Sequence, residues 1–406
     1  MTMRTRSCWP EALVLALLLL SLVSSALAQE AKPRLSYQYT FGQQLTLGLD
    51  LLQPVTEVKL YLRLSDGRTR VYTLPAEGTR VLYKRDLRVE PLEPFSPVTF
   101  WWEYPDVWGV TQRTDPLEFL YLDNRFPWQR LQEGKLTIHW VNGDQDLMLY
   151  ALDVARKAYA DLEATLQPPP VTESLHVYIY PSSADLQSAL RLAGREWIAA
   201  EAHPAVNAAL VAIPPSPHAQ QDMEMFIPHE LTHVQLYRLV GAEGYGYLPL
   251  WLREGLATSF EQRADPAYRL ALQQALQRQD WIPLSDLCSA FGGDETRLVL
   301  AYAQSQSVVT YLRQTYGWTR LRALIMAYGD GLGCSAGVER TLGKDLVTLD
   351  REWRIWLEQA RQPVSPLTRL FTLLGPAWHT VAPWVLIAGL LSLPALVSVS
   401  GLRRSR

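Results

Sequence analysis

The 406-residue chain predicts an α+β fold class: an N-terminal β-sandwich, a mostly α second half, and a C-terminal transmembrane helix. Three observations predict it. Residues 30–126 alternate apolar and polar with period two, and no helical stretch of useful length interrupts them. From about Trp128 apolar residues recur at helical spacing. From Leu370 to Leu402 there is no Asp, Glu, Lys or Arg.

Taken in order, residues 1–28 read as an export signal: Arg4 and Arg6 ahead of the short apolar run Ala12–Val23, then Ala26-Leu27-Ala28 before a cut at Gln29. An uncleaved anchor is the alternative. Strands are predicted at Gln44–Asp50, Val58–Leu64, Thr69–Leu74, Thr79–Lys84, Val98–Tyr104 and Leu117–Leu122, with Ser65-Asp66-Gly67 as a hairpin turn. Short antiparallel strands punctuated by Pro and Gly suit an immunoglobulin-like β-sandwich over 29–126.

The second half, 128–362, opens with a strand at Lys135–Trp140 and a helix over Asp144–Leu166, closed by Pro168-Pro169-Pro170. Strands follow at Leu175–Tyr180 and Ala208–Ile213. A helix is predicted from near Asp222 to Leu239, with Gly241 as its stop; Pro228 fits poorly inside it unless the helix starts near Phe226. Pro249 opens the next helix well, because its missing N–H is unpaired there anyway. Pro266–Arg278, Leu298–Tyr316 and Leu346–Arg361 read as amphipathic helices. A tether at 363–380 leads to an apolar span at 381–402. That length crosses a hydrocarbon core of about 30 Å at about 1.5 Å per residue. The basic tip, 403–406, then predicts a body outside the membrane and a cytoplasmic C-terminus.

Formal net charge is −3 with the signs interspersed, which excludes the clustered basic face that nucleic-acid binding needs. Cys8 leaves with the signal. The remaining pair, Cys288 and Cys334, is expected to form a disulfide in an exported protein.

The chemistry lies in His229-Glu230-Leu231-Thr232-His233, followed by Trp251-Leu252-Arg253-Glu254-Gly255. On a helix, His229 and His233 project from one face and can grip a single metal ion. A tetrahedral zinc site that keeps one position for water needs a third protein ligand, which Glu254 can supply. One Zn2+ per chain is expected on His229, His233 and Glu254. Glu230 is one step round the helix and is assigned as the general base. Glu261 shares a helix face with Glu254. It reads either as a residue that orients a ligand imidazole or as an exposed salt-bridge residue. His139, His176, His203, His218 and His379 lack ligand spacing and read as structural.

These residues resemble the gluzincin branch of the zinc metallopeptidases, in which His, His and a downstream Glu hold the metal. The segments Leu175–Tyr180, Ala209–Pro214, Pro228–Gln235, Leu248–Glu261 and Ala301–Tyr316 are similar to the bacterial peptidase-MA-like domain, over roughly residues 130–362. The resemblance implies a zincin-like catalytic domain and a peptide or protein substrate. It also implies an antiparallel edge strand that lines the cleft, for which Ala208–Ile213 is the candidate, or else a plain structural strand. Tyr302 would donate to the oxyanion or sit in the core, with Tyr311 a weaker rival. Trp251–Glu261 resembles the equivalent helix of the gluzincin aminopeptidases. Their Gly-x-Met-Glu-Asn segment has no counterpart in this chain, so an endopeptidase is expected.

The expected protein is a membrane-anchored, extracytoplasmic zinc metallopeptidase. One rival is a non-catalytic zinc-containing cell-surface binding protein, against which the intact Glu230 argues. The other is a β-sandwich adhesion protein with an incidental pentad, which would hold no stoichiometric metal.

Overall fold

The computed structural model describes residues 32–359 apart from 171–172 and 191–198. Two antiparallel sheets form the β-rich N-terminal region. One has the order β1-β2-β5, from β1 (Arg34–Thr40), β2 (Gln44–Asp50) and β5 (Arg80–Asp86). The other has the order β4-β3-β6-β7, from β3 (Glu57–Arg63), β4 (Thr69–Pro75), β6 (Ser96–Pro105) and β7 (Thr111–Arg113), with β8 (Leu117–Tyr121) also on β6. Period-two patterning drives this. Leu45, Leu47 and Leu49 of β2 and Leu60 and Leu62 of β3 are fully buried, whereas Lys59 and Arg63 face solvent.

A third sheet follows, in the order β12-β13-β11-β10-β9. Its strands are β9 (Gln129–Glu133), β10 (Leu136–Trp140), β11 (Leu175–Tyr180), β12 (Ala200–His203) and β13 (Ala208–Ala212). The central three run parallel, and β9 and β12 flank them antiparallel. Helix α1 (Gln145–Leu166) is the crossover from β10 to β11, capped by the Asp144 carboxylate on the Leu147 N–H at 2.8 Å. Tyr178, Tyr180, Leu210 and Ala212 on one face join the same apolar core as the β-rich region. On the other face Ile138, Val177, Ile179 and Val211 are buried on the helix side, where α1 packs on β10.

The helical part comprises α2 (Ser183–Leu190), α3 (Ala219–Tyr247), α4 (Leu250–Phe260), α5 (Pro266–Arg278), α6 (Glu295–Gly329), α7 (Cys334–Leu342) and α8 (Leu346–Gln359). Helix α3 breaks at Gly241 (φ 78°) and α6 at Gly317 (φ 74°), in the left-handed region open to glycine. Cys288 and Cys334 are bridged, as expected. Of the described residues, those to Gly343 form one compact unit and those from Lys344 a second, in which Lys344 Nζ meets Glu352 at 2.6 Å.

The expected fold class is corrected in two respects. The class is mixed α/β: α1 and α2 are interleaved among the strands of a five-stranded sheet, and the chain is helical beyond that sheet. The short polar edges β9 and β12 carry no periodic signal to announce the full extent of that sheet. The second correction concerns the membrane. Among the described residues no helix is long and apolar enough to cross one. The longest, α6, carries Arg297, Arg313, Arg320 and Arg322. The span expected at 381–402 lies outside the described residues, as do the signal at 1–28, the tether at 363–380 and the tip at 403–406. The membrane-anchored placement, with its cytoplasmic C-terminus, finds no support among the described helices.

Candidate metal centre

Helix α3 carries His229 and His233 one turn apart, with ring centroids 5.1 Å from each other. Pro228, directly before them, sits well inside the helix, which begins at Ala219 rather than near Phe226. Proline leaves the carbonyl four residues earlier without its helical donor. That carbonyl belongs to Glu224, and the Gln262 backbone N–H takes it at 2.9 Å. The residues just past α4 are thus tied to the first half of α3. Helix α4 in turn lies against α6 with no side chain between them at Gly255. A Cβ there would come within 2.3 Å of the Ser305 carbonyl oxygen. The buried Trp251 donates its indole N–H to Cys334 Sγ at 3.4 Å, which fixes the first turn of α4.

These supports bring the three sequence-predicted ligands together. His229 Nε2 lies 3.4 Å and His233 Nε2 3.5 Å from one oxygen of Glu254, Oε2. One donor atom from each of the three residues lies within 4.8 Å of the others, so the group can hold a metal ion. Bonds of about 2.1 Å in a tetrahedral zinc site put ligand atoms roughly 3.4 Å apart, and the donor set fits zinc on that ground. The Glu261 carboxylate accepts from His229 Nδ1 at 2.9 Å, which leaves the lone pair on Nε2. Glu261 therefore orients a candidate ligand, and its side chain is only 4 % exposed.

Glu230 is buried, and its carboxylate accepts from the backbone N–H of Ala202 on β12. Burial raises its pKa, against the pull of His229 and His233. Burial also raises Glu261, opposed by His229. For His229 burial favours the neutral ring, but the hydrogen bonds to Glu254 and Glu261 outweigh it and raise the pKa well above the ordinary value. Burial would likewise raise Glu254, yet the adjoining His233 and His229 hold it well below the usual range. Three carboxylates gathered at two imidazoles leave an excess of negative charge that a dication offsets.

The edge strand beside Glu230 is β12 (Ala200–His203). The expected candidate, Ala208–Ile213, lies inside the sheet between β12 and β11. A four-residue strand with two polar residues gives sequence reasoning nothing to find. Tyr302 stands with its ring 6.3 Å from that of His229, flanked by Tyr268 and Phe291, and burial raises its phenol. Tyr245, which sequence reasoning passed over, stands 6.4 Å from the His233 ring. Tyr311 is buried against Tyr316. Arg253 was also missed. Its Nε meets the other oxygen of Glu254, Oε1, at 3.3 Å, and its guanidinium lies 5.3 Å from the Tyr245 ring centroid. His139 and His176 bond to each other at 3.0 Å, and His203 packs on Phe95. None of these three joins the metal-binding group, and His379 lies outside the described residues.

The sequence profile of the Peptidase MA superfamily matches residues 155–359, just over half of the chain. No curated protein matches it. Among solved structures, it is similar to a yeast LTA4 hydrolase with TM-score 0.35 and 11 % identity, covering 80 % of this chain and 66 % of that one. It is also similar to an aminopeptidase A from Legionella pneumophila, with TM-score 0.39 and 11 % identity, covering 79 % of this chain and 48 % of that one. The chain therefore spans less than two thirds of the first structure and about half of the second. A polysaccharide deacetylase from Bacillus cereus matches at TM-score 0.19 and 10 % identity, over 45 % of this chain and 60 % of that one. Likeness this distant spans different activities and carries no functional inference.

Proposed function

The chain belongs to the Peptidase MA superfamily, and on that premise we propose that it is a zinc metallopeptidase cleaving inside peptides or proteins. The observation that supports this most is the convergence of His229 Nε2, His233 Nε2 and Glu254 Oε2 beside the buried Glu230. Zinc bound there supplies a Lewis acid that polarises the scissile carbonyl and eases ionisation of the attacking water. His229, His233 and Glu254 hold it, and Glu261 keeps the His229 ring in the tautomer that leaves Nε2 free. Glu230 accepts the proton of the attacking water and returns it to the leaving amine. Its raised pKa suits a base that must also give the proton back. The Ala202 N–H fixes the carboxylate. Cleavage inside the chain is supported by the lack of a Gly-x-Met-Glu-Asn segment, the feature with which the related aminopeptidases take a free amino terminus.

Glu230→Gln tests this, because it removes the base and keeps all three ligands. Zinc content should stay near one per chain, while hydrolysis of a diverse peptide library falls by about 10²–10⁴. Peptides with blocked ends should be cleaved as readily as free ones. A zinc-loaded wild type that cleaves nothing defeats the reading, and a fully active Glu230→Gln defeats the assignment of the base.

A further inference from the structure

A cavity of about 330 Å³ opens at the start of α4, walled by Tyr247, Pro249, Ser289 and the Cys288–Cys334 bridge. Among the residues that line it, Arg253 is the only charged one. Its place is set by the residue that follows it. Glu254 turns Oε2 to the two histidines and Oε1 to Arg253 Nε, so a single carboxylate separates the cavity's cation from the metal donors. The guanidinium also lies over the Tyr245 ring, which His233 neighbours as well. Only Nε is engaged in a hydrogen bond to protein among the described residues, which leaves the planar fork of Nη donors. That fork matches a carboxylate in two-pronged geometry. Once Glu254 shares its charge with a dication, Arg253 keeps a positive charge that its partner no longer fully offsets, in a cavity without a wall carboxylate.

We propose that this cavity is the subsite for a carboxylate on the peptide substrate, with Arg253 as the specificity-determining residue. The proposal rests on the peptidase reading above. A residue of extended peptide advances about 3.5 Å, so a group one or two residues from the scissile bond reaches Arg253. The carboxylate is either an Asp or Glu side chain or the substrate's own C-terminus.

Binding of fluorescent peptides to the zinc-loaded, full-length Glu230→Gln protein decides the matter without turnover. One series is amidated at the C-terminus and carries Glu or Gln at each position in turn. A second series has no acidic residue and ends in a free carboxylate or an amide. At one position Glu should bind about tenfold tighter than Gln if the side chain is the source. A gap confined to the second series identifies the C-terminus. Adding Arg253→Met should abolish the gap, leave neutral peptides within about twofold and leave zinc content unchanged, while Arg253→Lys should retain part of the gap. Equal affinities throughout would overturn the proposal. So would an Arg253→Met that weakens acidic and neutral peptides alike, since Arg253 would then serve Glu254 or packing alone. If Arg253→Met does not fold, Arg253→Gln and Arg253→Lys take its place: a gap surviving in the Gln variant overturns the subsite. A carboxylate preference in binding, with no cleavage by wild type, defeats the peptidase reading and leaves the subsite standing. Cleavage with no such preference does the reverse.

Discussion

Gly255→Ala adds one methyl group where α4 meets α6. The new Cβ would lie 2.3 Å from the Ser305 carbonyl oxygen, 2.6 Å from its carbonyl carbon and 2.8 Å from Val309 Cγ2. Relief to ordinary contact requires the helices to part by roughly 1 Å, because two of the three obstacles are backbone atoms that cannot rotate away. Overpacking of this kind costs about 1–3 kcal/mol. Alanine's better helix propensity returns at most about 1 kcal/mol, so the clash wins. The same shift displaces Glu254, the neighbouring residue on α4, relative to two histidines held by α3. Metal sites tolerate only about 0.5 Å of misplacement, so zinc affinity should fall at least tenfold. Gly246→Ala is the control: that position is also helical, and nothing lies within 4 Å of its added Cβ. Urea unfolding and competition with a chromogenic chelator measure the two effects. A Gly255→Ala protein as stable and as tight for zinc as wild type would refute the reasoning. So would a Gly246→Ala protein damaged to the same degree.

Removing the support of His229 by Glu261→Gln should weaken zinc 10–100-fold in the same chelator assay, with little change in unfolding; unchanged affinity would return Glu261 to a bystander. His139 gives a pH prediction. Burial, and then the charges of His176 and Arg130, lower its pKa from 6.5 to about 4, and protons on both rings would set two N–H donors against each other across the 3.0 Å contact with His176. The folded state therefore keeps His139 neutral while the unfolded chain takes up a proton below about pH 6.5. The contribution is whole above pH 6.5 and is lost as pH falls towards 4. After allowance for partial exposure it is on the order of 2 kcal/mol. Urea midpoints at pH 7 and pH 4.5 should converge in His139→Gln; an undiminished pH difference would point to other groups.

The parts legible in the sequence are those set by local periodicity or by chemical type. Strand β2 falls where alternation in Gln44–Asp50 puts it, and the cysteine pair forms the expected bridge. His229, His233 and Glu254 converge because helical spacing and a helix–turn–helix interval are local properties. The rest depends on contacts remote in sequence. Strand β12 is defined by its pairing with β13 and by the Glu230 carboxylate on Ala202, and Ala-Glu-Ala-His shows neither. Arg253 looks like any surface arginine until the second oxygen of Glu254 and the Tyr245 ring are placed beside it. Pro228 fits poorly inside a helix on sequence alone, because the donor that compensates for it lies thirty-four positions later.

That donor has a consequence for how the site can be inherited. The bond from the Gln262 N–H to the Glu224 carbonyl is main chain at both ends. Almost any side chain can come and go at either position without touching it. Its one exposed point is residue 228, since any other amino acid there restores an N–H that competes for the same carbonyl. A lineage that replaced the proline would loosen the fastening between the helix of the histidines and the end of the helix of Glu254, while every residue of the site stayed in place. Drift in this chain can thus degrade the site's geometry through a residue that bears no functional group at all.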